Sequence, residues 1–123
     1  MAVTLTLRAD NIVHVDVTCN DVLSDVEFFE IIDELRIINK THNAVFPCII
    51  TANEQVHIEK EVKDLVKSKL FKKYTTASAV ITLSESQHLY VNVFLRLSHL
   101  KSPVRSFKTK ERALIWLQQY TAN

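Results

Sequence analysis

Not one of the 123 residues is glycine, where average usage near ~7% would supply roughly eight or nine. Loops that cradle phosphate need glycine so that the backbone can approach a ligand closely or take positive φ. The P-loop, the dinucleotide fingerprint and the nucleophile elbow all require it. A large set of enzyme classes is therefore closed to this chain, and tight turns must be made by Asn or Asp, which tolerate left-handed backbone angles.

The remaining pattern is that of an alternating α/β domain. Val3–Arg8 alternates apolar and polar residues strictly, the period of a strand with one face in a core. Ala9-Asp10-Asn11 supplies a turn, and Ile12–Val17 alternates again, so the two read as a hairpin. From Asp21 to Lys40 the period becomes helical, with Val22, Val26, Phe28, Phe29, Ile31, Ile32, Leu35 and Ile38 on one stripe and Asn20 or Asp21 as the cap.

Phe46–Ile50 is a short apolar run, as expected of a strand covered on both faces, with Pro47 tolerated only at its start or on an edge. A second helix is expected over Val56–Lys73 and a further buried strand over Ala77–Leu83. Ser84-Glu85-Ser86-Gln87 is a capping box opening a third helix, its core face drawn from Leu89, Val93, Phe94, Leu97 and Leu100. Pro103 leads a last strand, Val104–Phe107. Thr109 caps a final helix carrying Ala113, Leu114, Trp116, Leu117 and Tyr120, with Trp116 and Phe107 as core anchors.

The order ββαβαβαβα predicts one domain over residues 1–123: a mixed, mostly parallel five-stranded sheet packed with four helices, its first strand antiparallel at or near an edge. At 47% apolar residues a proper core can form. No apolar run approaches the ~20 residues of a membrane span. Met1-Ala2-Val3-Thr4 lacks the basic start and apolar stretch of a secretion signal. Cys19 and Cys48 are widely spaced and sit in apolar stretches, which points to free buried thiols in a reducing cytoplasm.

The C-terminal third carries a resemblance. Asn92-Val93-Phe94-Leu95-Arg96-Leu97, then Pro103-Val104-Arg105-Ser106-Phe107, then Ala113-Leu114-Ile115-Trp116-Leu117 resembles the SpoIIAA-like branch of the STAS superfamily, small domains named after anti-sigma-factor antagonists. The resemblance implies a SpoIIAA/STAS-like fold in a bacterial cytoplasmic protein, usually without enzymatic activity, that binds a partner or a small ligand. Antagonists proper carry a phosphorylated serine in an Asp-Ser motif followed by glycine at the start of the second helix. The stretch here reads Ile50-Thr51-Ala52-Asn53-Glu54, with Thr51 the only nearby hydroxyl, so that switch is not expected.

Sites of chemistry are few. The five histidines, His14, His42, His57, His88 and His99, are scattered over different elements with no pair at i, i+4 and no Cys-x-x-Cys, so no metal and no cofactor is expected. Asp33 and Glu34 are adjacent on a helix and point apart, which does not suit paired acid–base work. Lys60, Lys63, Lys67, Lys69, Lys72 and Lys73 invite a nucleic-acid reading. Glu59, Glu61 and Asp64 interleave with them, aromatics for stacking are scarce, and a solvated face is expected instead.

In open α/β sheets ligands gather at the carboxyl ends of parallel strands. Thr51 and Asn53, and Ser84 and Ser86, lie at such ends. Asn92 and Arg96, one turn apart, share a polar face of the third helix. These six are the candidate ligand- or partner-binding residues of a non-catalytic binding or regulatory module, the alternative being a small-ligand binder of lipid-like or anionic specificity. Residues 1–59 carry three basic against ten acidic groups, a net of −7. Residues 60–123 carry twelve against four, a net of +8. That dipolar arrangement, with two outer strands, predicts a homodimer.

Overall fold

The computed structural model describes residues 3–18, 22–52, 57–58, 70–98 and 103–121. Strands β1 (Val3–Leu7) and β2 (Val13–Val17) form the expected antiparallel hairpin, Val3 opposite Val17 and Leu7 opposite Val13. The turn between them shows how the chain works without glycine. Asp10 Oδ1 accepts from the Ile12 N–H at 3.0 Å, and Asn11 takes the left-handed position with φ 63°. The only other positive φ among the described residues also belongs to an asparagine, Asn43 at φ 50°, which ends the first helix with its N–H on the Asn39 carbonyl.

β3 (Val22–Leu23) follows, then α1 (Asp25–His42), β4 (Cys48–Ala52), β5 (His57–Ile58), α2 (Leu70–Tyr74), β6 (Ser78–Ile81), α3 (Glu85–Ser98), β7 (Val104–Phe107) and α4 (Lys110–Leu117), closed by a 3₁₀ turn at Gln118–Tyr120. The main sheet has five strands in the order β1-β2-β4-β6-β7, with β1 antiparallel and the rest parallel. Pro47 stands immediately before central strand β4, where its missing N–H breaks no ladder bond, and its carbonyl accepts from Val13 N–H at 3.0 Å.

Three sequence expectations are corrected. Helix α1 starts at Asp25, and Ser24 is its N-cap, its hydroxyl bonded to the Glu27 carboxylate. Val22 and Leu23 are instead a short strand paired in parallel with His57 and Ile58, so the second helix does not begin at Val56. Residues this apolar fit a strand or a helix start equally well, and the pairing decides. The proposed caps Asn20 and Asp21, the thiol Cys19, and residues 59–69 of the expected second helix, with Lys60, Lys63, Lys67 and Lys69, lie outside the described residues.

The third correction concerns helix faces. α1 buries Phe28, Ile31, Ile32 and Leu35, but Val26 is 63% and Phe29 44% exposed. On α3, Leu89 and Val93 are exposed at 67% and 46%. Among the described side chains of α3 the half-buried ones are Gln87, His88, Val91, Asn92 and Leu95, so the helix is rolled from the Leu89–Val93 stripe by one residue, about 100°; Phe94, Leu97 and Leu100 of the expected face lie outside the described side chains. Strand β6 also ends earlier than expected, leaving Leu83 exposed.

Two cores flank the sheet. Val3, Val13, Val15, Val17 and Cys48 pack beneath α1, with Phe28, Ile32 and Leu35. On the opposite face Ile12, Ile49, Ala79 and Ile81 pack under Ala113 and Leu117 of α4, with Phe107, Trp116 and Tyr120 at the margin. The Cys48 thiol is free and fully buried, its Sγ 3.2 Å from Ser78 Oγ, and burial pushes its pKa up.

Candidate functional site

Register fixes which strand residues meet α3. Cys48, Ser78 and Val104 share a face of the sheet, as do Ile50, Val80 and Ser106 one step along. On the outer strand β7 this face presents Val104 and Ser106, over which α3 lies. Ser84 opens α3 as the sequence requires. Its hydroxyl accepts from the Gln87 N–H at 3.1 Å, while the Gln87 side chain accepts from the Leu83 N–H at 2.6 Å, a capping box whose return bond lands one residue early.

Between α3 and β7 runs an open groove of about 460 Å³. The helix contributes His88, Asn92, Leu95 and Arg96; the strand contributes Val104, Arg105 and Ser106. Among the described residues its lining has two guanidinium-bearing side chains and no carboxylate. Arg105 lies at the rim, its guanidinium laid over the rings of Phe107 at 5.3 Å and Trp116 at 5.8 Å on the α4 side.

The floor is a connected chain of hydrogen bonds. The buried Thr82 hydroxyl lies 3.2 Å from the Phe107 carbonyl and 3.0 Å from His88 Nδ1. His88 Nε2 lies 3.0 Å from the Asn92 amide, whose other end is bonded to the Ser106 hydroxyl. This chain explains the roll of α3. Two polar side chains face the sheet because each is fully partnered there, while Leu89 and Val93 turn outward.

The expected site residues are thus partly gathered. Asn92 and Arg96 line one groove, as their shared face implied. Ser84 is committed to the cap, and Ser86 is exposed on the first turn of α3. Thr51 lies on the opposite sheet face, its hydroxyl donating to Asp16 Oδ1 at 2.5 Å, and Asn53 lies outside the described residues. His88, Thr82 and Ser106 were not singled out from the sequence. The signal for His88 was present, since His88, Asn92 and Arg96 recur every fourth residue and form a polar stripe. Ser106 and Thr82 follow only once strand register is known.

A second histidine, His14, is buried and pairs with Asp10 across 3.3 Å. Burial lowers its pKa, and the Asp10 carboxylate offsets part of that effect. Among the described residues no three His, Cys, Asp or Glu side chains are grouped so as to hold a metal ion. No described helix is long and apolar enough to cross a membrane.

Comparison with known proteins agrees with this architecture. The family model "Domain of unknown function (DUF7793)" matches residues 5–121. No curated protein matches the chain. Among solved structures, an uncharacterized protein from the DUF3478 family with a SpoIIAA-like fold, from Shewanella loihica PV-4, superposes with a TM-score of 0.59 at 16% identity. The match covers 94% of this chain and 92% of that one. The SpoIIAA-like fold expected from the C-terminal residues is therefore shown.

Proposed function

We propose that this chain, which belongs to the DUF7793 family, is a non-catalytic binding module that engages its partner through the α3–β7 groove. The observation that carries the reading is how the groove's imidazole is used. A histidine that activates a nucleophile offers a nitrogen lone pair to a hydroxyl proton. Both ring nitrogens of His88 are already bonded within the fold, Nδ1 with the Thr82 hydroxyl and Nε2 with the Asn92 amide. The arrangement holds the groove's polar groups in place and so suits recognition.

The groove runs along outer strand β7, whose ladder to β6 uses the Pro103 and Phe107 carbonyls. In a parallel ladder the intervening residues turn their backbone groups away, which leaves Val104 and Ser106 facing outward beside the groove. A small anionic ligand is the second reading, favoured by Arg96 in the lining. A mostly polar lining suits a charged group better than an acyl chain.

We place the module in a bacterial cytoplasm, where the free Cys48 thiol is at home. A regulatory role through a protein partner and a homodimeric state belong to the same reading. The opposed −7 and +8 chain halves and the outer strands β1 and β7 support the dimer. Sedimentation at micromolar concentration should find a dimer whose association slows as salt rises; a monomer throughout would remove it.

Affinity capture tests the module itself. A defined protein should be recovered from the native lysate by wild type and lost with Arg96→Glu or Asn92→Lys, both of which alter groove residues. Retention by both variants would show that the groove is not the binding surface. Mass spectrometry of denatured protein tests the second reading, which requires a co-purified anionic compound.

A further inference from the structure

We propose that the α3–β7 groove takes its partner as an extended acidic segment, which pairs with the free edge of β7 and adds a sixth strand to the main sheet. This rests on the groove being the binding surface, as argued above, and names the partner's conformation and its charge.

β7 closes one side of the five-stranded sheet, and its ladder to β6 fixes which of its backbone groups are committed. The Pro103 and Phe107 carbonyls accept from the Ser78 and Thr82 N–H groups, both at 2.9 Å. That phase gives the backbone groups of Arg105 and Phe107 to β6 and turns the N–H and C=O of Val104 and Ser106 the other way. Among the described residues no strand pairs with that outer side. An extended chain laid beside β7 meets two donors and two acceptors at ladder spacing, the arrangement by which sheet edges capture peptides.

The flanks decide what kind of chain fits. Successive side chains of an added strand point to opposite faces. On the α3 side they enter the groove beside Leu95 and Val104, with Arg96 exposed on its wall. On the other side they pass Arg105, whose guanidinium is held over the Phe107 and Trp116 rings at 5.3 Å and 5.8 Å. The edge is therefore flanked by one cation on each face of the sheet.

The chain's own acids do not neutralise this pair. Among the described residues neither Arg96 nor Arg105 forms an ion pair, and Glu85 is held by Lys108 at 2.7 Å. Residues 92–112 carry six basic groups against Glu111 alone, so the sequence around the edge is cationic as a whole. A second copy offering its own β7 would set these arginines against their counterparts, which opposes self-pairing. An acidic segment meets both. Adjacent acidic residues would reach Arg96 and Arg105 from opposite faces, and an apolar residue two positions away would pack against Leu95.

The probe is the capped hexapeptide acetyl-Thr-Val-Glu-Glu-Val-Thr-amide, whose glutamates fall on opposite faces in either strand direction. The control replaces Glu-Glu by Lys-Lys. Each is titrated into the full chain at low salt and followed by amide NMR. The glutamate peptide should shift the amides of Leu95, Arg96, Val104, Arg105 and Ser106, and bind about tenfold more tightly than the lysine peptide. Hydrogen exchange should slow at Val104 and Ser106 in the complex, while Arg105 and Phe107 are protected with or without peptide. Val104→Pro removes an outward N–H without touching the β6 ladder and should weaken binding about tenfold. Arg105→Glu should remove the preference for the glutamate peptide.

Absence of shifts at millimolar peptide, or equal affinity for the two peptides, would overturn the proposal. Shifts without new protection at Val104 and Ser106 would overturn the strand pairing. Protection already present in the free chain and lost on dilution would assign the edge to a second copy, and so overturn it too. The exchange pattern and Arg105→Glu carry the same test if Val104→Pro does not fold. The groove reading fails separately, through partner capture retained by both Arg96→Glu and Asn92→Lys. Capture lost in those variants while the peptide does not bind would leave the groove as the binding surface and remove only the added strand.

Discussion

His88 Nε2 lies 3.0 Å from Asn92 Nδ2, which bonds the ring to an amide one helical turn along. That contact ties α3 to the two strands at the β7 edge of the sheet, because the same histidine reaches Thr82 beyond β6 and the same asparagine reaches Ser106 on β7.

Asn92→Ala removes the middle of this chain and leaves His88 Nε2 and the Ser106 hydroxyl without their partner. The loss should be about 1–2 kcal/mol in urea unfolding, the usual cost of leaving partly buried polar groups unpaired. A change within experimental error would mean that water replaces the amide without penalty and that the chain does not hold α3 in place.

The second core predicts an inversion of the expectation raised by size alone. Leu117 is completely buried under the sheet, whereas Trp116 is half-buried against Phe107 at 5.6 Å and Tyr120 at 5.1 Å. Leu117→Ala should cost about 3–4 kcal/mol and Trp116→Ala about 2 kcal/mol. A larger loss at Trp116 than at Leu117 would place the indole deeper than the structure has it.

Much of this was legible before the structure. Asp10-Asn11 announces a turn, Ser84 and Thr109 announce caps, and the alternation of Val13, Val15 and Val17 fixes which face of β2 meets the core. Those signals are local, and local geometry satisfied them. The roll of α3 was not legible. Leu89 and Val93 make a better apolar stripe on their own than Val91 and Leu95 do. The choice was made by Thr82 and Ser106, which lie six and fourteen residues from the side chains they bond. For the same reason Asn92 and Arg96 could be paired on one helix face from the sequence, but the groove that joins them to Ser106 required the register of β6 and β7. The β3–β5 pairing likewise links residues 35 apart in sequence, Val22 with His57, and no pattern in either short run names the other.

His14 sets a pH dependence of stability. Burial lowers its folded-state pKa below the ordinary 6.5, so the folded chain favours the neutral ring. Its contribution is complete above that value and is lost as pH falls through the lowered folded value, because the unfolded chain binds the proton more readily. The urea midpoint should therefore fall between pH 7.5 and pH 5, and His14→Asn should flatten that slope. A slope of the opposite sign would show that the Asp10 carboxylate outweighs burial.

The account turns on the α3–β7 groove being the binding surface, with His88, Asn92 and Ser106 held together in its lining. Affinity capture from the native lysate with wild type and Arg96→Glu reads this directly. The account predicts that a defined protein recovered by wild type is lost with the variant. Undiminished recovery by Arg96→Glu would contradict it.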